Sequence, residues 1–323
     1  MADFKICLTL FFYALILPYL CIQTNPAYTV MKGLVPYTIN AGGTLIDLSE
    51  PQVMGILNVT PDSFYSSSRM FDEEAIACRT RQILDEGGTI IDVGAYSTRP
   101  GSDDVSEDEE ARRLRMALAT VRKIAPEAIV SIDTFRASIA RMCVEEFGAN
   151  IINDVSGGDA DNDMFSTVAA LGVPYILMHI GGTINDMHAD APLTSHSQQC
   201  AEYMSGVMAY LTERLNRLDS LGAKDVIIDP GFGFGKSMEQ NYEILRYLED
   251  FKALQRPLLV GVSRKSMIYR LLGTDADNAL NGTTVCNTIA LLKGASILRV
   301  HDVKACREAV EIVRKMYGEP CAQ

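Results

Sequence analysis

No two of the eight cysteines stand at CxxC spacing. Cys7, Cys21, Cys78, Cys143, Cys200, Cys286, Cys306 and Cys321 are scattered through apolar stretches, which argues against a paired-cysteine zinc site or a disulfide framework. Idle thiols in a reducing compartment fit better. Positive charge is also scarce, with 29 Lys and Arg against 41 Asp and Glu and a formal net charge of -12. A broad nucleic-acid surface is not expected on such a chain, although a few local cations can still hold an anionic small molecule. Long apolar runs are missing except at Phe4–Ile22, and a bilayer span needs roughly 20 such residues. That run, broken by Lys5, Thr9 and Pro18, has two readings: a targeting segment, or translation upstream of a functional start at Met31. Both place residues 1–30 outside the fold, and the remainder points to a cytoplasmic enzyme.

What is present is globular: 48% hydrophobic and 22% charged residues. Length alone admits two domains, but one α/β barrel of roughly 250 residues fits as well, and no composition shift marks a boundary within 37–317. Tyr37–Asn40 and Thr44–Asp47, joined through Gly42-Gly43, predict a short β-hairpin whose glycines supply positive φ. Beyond it, aliphatic runs at 53–57, 89–93, 128–132, 150–152, 174–178, 225–228, 257–261 and 297–300 predict strands. Amphipathic segments at 72–86, 106–124, 136–147, 163–171, 197–220, 238–250, 282–293 and 303–316 predict helices. Eight strand–helix units fit a closed (β/α)8 TIM barrel with an N-terminal hairpin better than an open sheet. The runs 59–71 and 180–196 read as long loops on the functional face.

Polar residues end these strands: Asn58, Asp92, Asp133, Asn153, Met178-His179, Asp229, Gly261–Ser263 and Arg299–His301. In a parallel barrel all such ends converge on one mouth. Any single one could be a helix cap or turn former, Asp133-Thr134 and Asn153-Asp154 above all, but Asp92 and Asp229 precede glycine loops rather than helices. The run Asp229–Ser237 matches neither the Walker spacing nor GxGxxG, and reads as a rigid turn that brings backbone close to a flat ligand. There Phe234 can stack and Lys236 can cap or bind. Arg99, Arg264-Lys265 and Arg299 with His301 predict a focused anion pocket on an acidic chain, against a surface ion-pair reading for each. Glu107–Glu110 reads as acidic charge at the start of a solvated helix, and His188 and His196 as part of a lid rather than a metal site.

The motifs Val53–Phe64, Ile91–Gly101, Ser131–Thr134, Ile151–Asp154, Asp229–Lys236, Gly261–Ser266 and Arg299–His301 together resemble dihydropteroate synthase, in the family's order from about Tyr37 to Tyr317. The resemblance implies a TIM barrel, usually a homodimer, that joins 4-aminobenzoate to 6-hydroxymethyl-7,8-dihydropterin diphosphate and releases diphosphate. It carries the pterin site onto Asp133, Asn153, Asp229 and Lys265, lined by Met178 and Phe234. Its diphosphate site falls on Asn58, Arg299 and His301, with Thr98 and Arg99 alongside and Asn58 toward a Mg2+ ion. Phe64, Arg99, Pro100, Lys265 and Ser266 correspond to the 4-aminobenzoate site, and Lys265, Arg299 and Asp133 to the catalytic set. Two stretches depart from the pattern: Ala95-Tyr96, where the family often has Gly-Glu, and Tyr65–Ser68, where a glycine-rich turn is usual. A pterin-dependent methyltransferase or a non-catalytic pterin-binding protein are the alternatives. Neither needs Ser97–Gly101 or Arg299–His301 for a leaving diphosphate.

Overall fold

β-branched and aliphatic side chains fill the short runs almost continuously, as strands buried on both faces require, and recur at helical spacing between them, and the chain folds accordingly. The computed structural model describes residues 37–59, 69–96, 105–182 and 197–317. The apolar run Phe4–Ile22 and most of the two long loops expected on the functional face lie outside these residues. A hairpin of β1 (Thr38–Ala41) and β2 (Thr44–Asp47) precedes β3 (Gln52–Asn58), β4 (Ile90–Gly94), β5 (Ile129–Asp133), β6 (Ile151–Asp154), β7 (Tyr175–Met178), β8 (Val226–Asp229), β9 (Leu259–Val260) and β10 (Ile297–Val300). The helices are α1 (Arg69–Asp85), α2 (Glu107–Ile124), α3 (Ala137–Phe147), α4 (Met164–Leu171), α5 (Ser197–Ser220), α6 (Met238–Arg246), α7 (Ser266–Leu271), α8 (Leu280–Leu292) and α9 (Val303–Tyr317).

The eight barrel strands pair in parallel in the order β8-β7-β6-β5-β4-β3-β10-β9. Closure rests on a single parallel bridge, Ile228 to Leu258, beside the Ile228 N–H donating to the Pro257 carbonyl at 2.9 Å. This is the expected (β/α)8 TIM barrel with its hairpin. Gly42 and Gly43, at φ 65° and 95°, make the hairpin turn that a side chain would strain. Ile39, Ala41 and Leu48 from the hairpin region pack on Met54, Ile90, Ile151, Ile176, Ile227, Leu259 and Ile297, sealing the N-terminal end of the barrel. The outer ring follows helical periodicity: α9 buries Val303, Cys306, Ala309, Val310 and Val313.

Three local expectations differ. The single helix at 238–250 is instead α6 followed by a 3-10 helix, Leu248–Leu254, whose tighter turn buries Leu248 and Phe251. The short α7 is too brief to register as helical periodicity. Asp92 is not a strand terminus but the middle residue of β4. Cys78, Cys143, Cys286 and Cys306 are free thiols. No helix among the described residues is long and apolar enough to cross a membrane.

Candidate active site

Strand alternation builds the site. Ile90, Ile129, Ile151, Ile227 and Ile297 form part of the apolar floor, so the residues two positions on, Asp92, Ser131, Asn153, Asp229 and Arg299, also point into the barrel. Sheet register completes the upper ring: Asn58 lies opposite Gly94, Gly94 opposite Asp133, Asp133 opposite Asn153, and Met178 opposite Asp229. Gly94 keeps this ring open, because a Cβ there would stand 3.3 Å from Asp133 Cβ and 3.5 Å from Asn58 Oδ1. An apolar floor thus carries a polar upper half.

Arg299 is the hub of that half. Its Nε donates to Asp92 at 2.6 Å and its Nη2 to Asp133 at 2.6 Å. Asn153 Nδ2 approaches both oxygens of Asp92, at 3.2 and 3.4 Å. Burial works against the Arg299 charge, but Asp92 and Asp133 outweigh it and raise the guanidinium pKa. Burial also pushes the Asp133 carboxyl up from the usual range, with Arg299 opposing and Asp92 adding to the rise. Asp229 is raised by burial too, against the nearby Lys265 ammonium and the bond it accepts from Gly231 N–H at 2.7 Å.

Lys265 donates to the Phe232 carbonyl and places Nζ 4.4 Å from the Phe234 ring centre, a cation–π arrangement. Desolvation lowers its pKa to about 8. Its neighbour Arg264 turns away from the mouth. At φ 56° it forms a two-pronged pair with Asp302, both bonds at 2.8 Å, and donates to the Ala276 and Asp277 carbonyls. Arg264 is therefore structural, not part of an anion pocket. His301 shares a 3.1 Å hydrogen bond between its Nδ1 and Ser263 Oγ, and its backbone N–H donates to the same hydroxyl. Met178 packs near Phe234, and Ser266 opens α7 directly after Lys265.

Lys236 proves to be an internal staple. Its buried ammonium donates to the carbonyls of His179 at 2.9 Å, Gly231 at 2.7 Å and Phe234 at 3.1 Å, fixing the glycine-rich turn after β8. Gly231 and Gly235 are required there, since a Cβ would meet the His179 and Gly181 carbonyl oxygens at 1.9 and 1.7 Å. His179 itself packs edge-on against Tyr210 and is held neutral, its pKa pushed down to about 2 by burial.

The structure thus brings together Asn58, Asp133, Asn153, Met178, Asp229, Phe234, Lys265, Ser266, Arg299 and His301 at the C-terminal ends of the strands. Phe64, Thr98, Arg99 and Pro100 lie outside the described residues. Sequence reasoning missed the place of Asp92, the partner of both Arg299 and Asn153. The signal was available: Ile90, Asp92 and Gly94 share one parity, so a floor residue at 90 puts Asp92 inside the barrel.

A family model described as pterin binding enzyme matches residues 54–301. Dihydropteroate synthase of Haemophilus influenzae is 38% identical over 274 residues, covering 84% of this chain and 96% of its own. That of Escherichia coli is 40% identical over 277 residues, covering 84% and 94%. Among solved structures, Xanthomonas albilineans dihydropteroate synthase with 4-aminobenzoic acid superposes with a TM-score of 0.79 at 33% identity, covering 88% of this chain and 100% of that one. A dihydropteroate synthase from Coxiella burnetii in complex with pteroic acid gives 0.75 at 34% identity, covering 87% and 98%.

Proposed function

The chain belongs to the pterin-binding enzymes as a dihydropteroate synthase of folate biosynthesis, and from that premise we propose that its barrel mouth condenses 4-aminobenzoate with 6-hydroxymethyl-7,8-dihydropterin diphosphate. The observation that carries the assignment is the inward set Asp92, Asp133, Asn153 and Asp229, countered by Arg299 and Lys265. A pterin edge presents N–H donors to carboxylates and acceptors to amide and ammonium groups, so each of these buried polar groups finds a partner. Related enzymes holding 4-aminobenzoic acid and pteroic acid support the same pair of ligands here.

In this reading the C–O bond to diphosphate breaks early, the aniline nitrogen attacks the cationic pterin methylene carbon, and the nitrogen gives up a proton to the departing diphosphate or to water. Asp133, Asn153, Asp229 and Lys265 hold the ring, Met178 and Phe234 pack on its faces, and Arg299 and His301 receive the leaving group with Thr98 and Arg99. Two of the five N–H donors of Arg299 serve Asp92 and Asp133, which leaves three, both of Nη1 and one of Nη2, for phosphate oxygens. Phe64, Arg99, Pro100, Lys265 and Ser266 take the aminobenzoate. No covalent nucleophile is needed.

Mg2+ is the companion of the diphosphate in this scheme. Among the described residues no cluster of three His, Cys, Asp or Glu side chains could hold a metal. Asn58 instead offers one neutral oxygen at the half-buried end of β3, which suits a hard ion that arrives on phosphate oxygens and keeps few protein ligands. Such an ion supplies charge neutralisation to the departing diphosphate.

The enzyme acts in the cytoplasm as a homodimer, on this proposal. α8 carries no charged residue over 13 positions and exposes Leu280, Val285 and Leu292 beside Leu271 and Leu272. On a chain of net charge -12, such a face is where a second copy can dock without like-charge repulsion. The test of the reaction is diphosphate release by the purified protein with Mg2+ and the pterin diphosphate, with and without 4-aminobenzoate, and mass identification of the pterin product. Amine-dependent release with dihydropteroate formed is expected. A folded protein that binds the pterin without turnover would refute the assignment.

A further inference from the structure

Ser263 and His301 follow two neighbouring strands in step. β9 and β10 pair with Leu259 opposite Ile297, both in the apolar floor, so Gly261 and Arg299 come next on the inward side. A Cβ at Gly261 would lie 3.8 Å from that of Arg299. One step further, Ser263 Oγ and His301 Nδ1 are 3.1 Å apart, and the His301 backbone N–H donates to the same Oγ at 3.1 Å. The His301 backbone is held from outside as well. Arg79, on α1, donates from Nη2 to its carbonyl at 2.6 Å and from Nε to the Ile56 carbonyl at 3.1 Å, while the next residue, Asp302, is paired with Arg264. With the backbone fixed, the serine sets which edge of the ring faces it and which faces away.

That contact decides the place of a proton. A serine hydroxyl has one hydrogen and two lone pairs, and the His301 backbone N–H already takes one lone pair. Ser263 is buried, at 5% exposure, and among the described residues its Oγ makes no hydrogen bond besides the two to His301. Its hydrogen therefore has one acceptor, the Nδ1 lone pair, and a buried hydroxyl hydrogen left without an acceptor is costly. With Nδ1 accepting, the proton of the neutral ring sits on Nε2. We propose that Ser263 is a positioning residue for the leaving-group half of the reaction: it holds neutral His301 as the Nε2–H tautomer, so that the ring edge away from the serine donates to the departing diphosphate. The opposite tautomer would turn a lone pair toward phosphate oxygens and repel them. The inference rests on the assignment of His301 to the diphosphate.

The ring nitrogens report this directly, because a protonated and a bare imidazole nitrogen differ widely in chemical shift. The full chain with isotope-labelled histidine is recorded by nitrogen NMR, without ligand and at a pH where the imidazoles are neutral, and His301→Gln identifies its signals among the four histidines. A protonated Nε2 and a bare Nδ1 are expected in the wild type; a proton on Nδ1 overturns the inference, with no variant required to fold. Ser263→Ala is expected to return part of the His301 population to the Nδ1–H form. It should weaken binding of inorganic diphosphate with Mg2+ about tenfold in calorimetry, the scale of one charge-assisted hydrogen bond, and leave KM for 4-aminobenzoate within about twofold of wild type. Ser263→Thr, which keeps the hydroxyl, should restore both the Nε2–H signal and the diphosphate affinity. Unchanged diphosphate affinity in Ser263→Ala, or an equal loss in folded Ser263→Ala and Ser263→Thr, overturns the role of the serine. An Nε2–H ring in a wild-type enzyme without amine-dependent turnover separates the two readings: the tautomer stands, and the reaction assignment falls together with the use made of it here.

Discussion

Arg299 Nε lies 2.6 Å from a carboxylate oxygen of Asp92, a fully buried residue 207 positions earlier in the chain. The pair joins β10 to β4 across β3, so the same contact that neutralises the guanidinium also aims its remaining donors. Removing one partner of a buried pair leaves a charge without compensation, which costs about 3 kcal/mol or more. Asp92→Ala is therefore expected to lower thermal stability clearly and to reduce kcat/KM about 100-fold, whereas Asp92→Asn keeps shape and loses mainly activity. Circular dichroism melts with steady-state kinetics check both; wild-type kcat/KM in Asp92→Asn would detach the pair from the chemistry.

Lys265 gives opposite pH trends for activity and stability. Burial lowers its pKa to about 8, so the ammonium that donates to the pterin in the proposed mechanism is lost as pH rises through that value, and kcat/KM for the pterin should fall with it. The unfolded chain keeps the proton up to the ordinary lysine value of about 10.4, so between the two values it binds more protons than the folded chain. Stability contributed by this group therefore rises with pH in the window where activity falls. Activity profiles and urea midpoints over that range test the pairing, and Lys265→Met should flatten the stability slope.

The barrel was legible because its two periodicities are strong: aliphatic floor residues such as Ile90, Ile151 and Ile227 recur once per strand, and helices such as α9 present one apolar stripe. The mouth was legible for a similar reason, since polar residues after aliphatic runs have one place to go in a parallel barrel. What escaped were roles decided by distant partners. Asp92 reads as a terminus until register shows it beneath Gly94 and beside Arg299. Lys236 reads as a ligand until three carbonyls from two loops are seen to surround it. Glu110 reads as one acid in a solvated run, although the helix turns it alone of its neighbours onto Arg136. The helical period does mark Glu110 as the inward acid, one turn before the buried Leu114, but no local pattern names the charge 26 residues away that it meets.

The Lys236 staple predicts a loss of both stability and pterin affinity. Its three carbonyl acceptors use every N–H of an ammonium, and Lys236→Met takes that donor from all three: the Gly231 and Phe234 carbonyls keep the backbone N–H groups of Phe234 and Gly181, at 3.2 and 3.1 Å, while the His179 carbonyl loses its ammonium partner in a buried turn. A buried carbonyl left unsatisfied costs about 1–3 kcal/mol, and two further bonds to a charged donor are lost, so a drop of about 3 kcal/mol in urea unfolding is expected. The same turn holds Asp229 and Phe234, so pterin binding measured by calorimetry should weaken as well. Full pterin affinity in this variant would show that the turn keeps its shape without the staple.

The uncharged face of α8 makes a prediction about assembly that is independent of catalysis. A helix whose outer side carries no charge and several large apolar side chains is normally covered, and here Leu280, Val285 and Leu292 remain exposed next to Leu271 and Leu272. A stable dimer buries roughly 800 Å² per partner, an area within reach of two adjacent helices. Like charges placed across a two-fold axis meet each other, so Leu272→Glu with Val285→Glu puts four carboxylates into one interface. Sedimentation is expected to find the wild-type chain dimeric at micromolar concentration and the double variant monomeric, with unchanged circular dichroism because both side chains already face solvent in the single chain. A wild-type monomer at those concentrations would leave α8 as an uncovered apolar helix and refute the second-copy assignment.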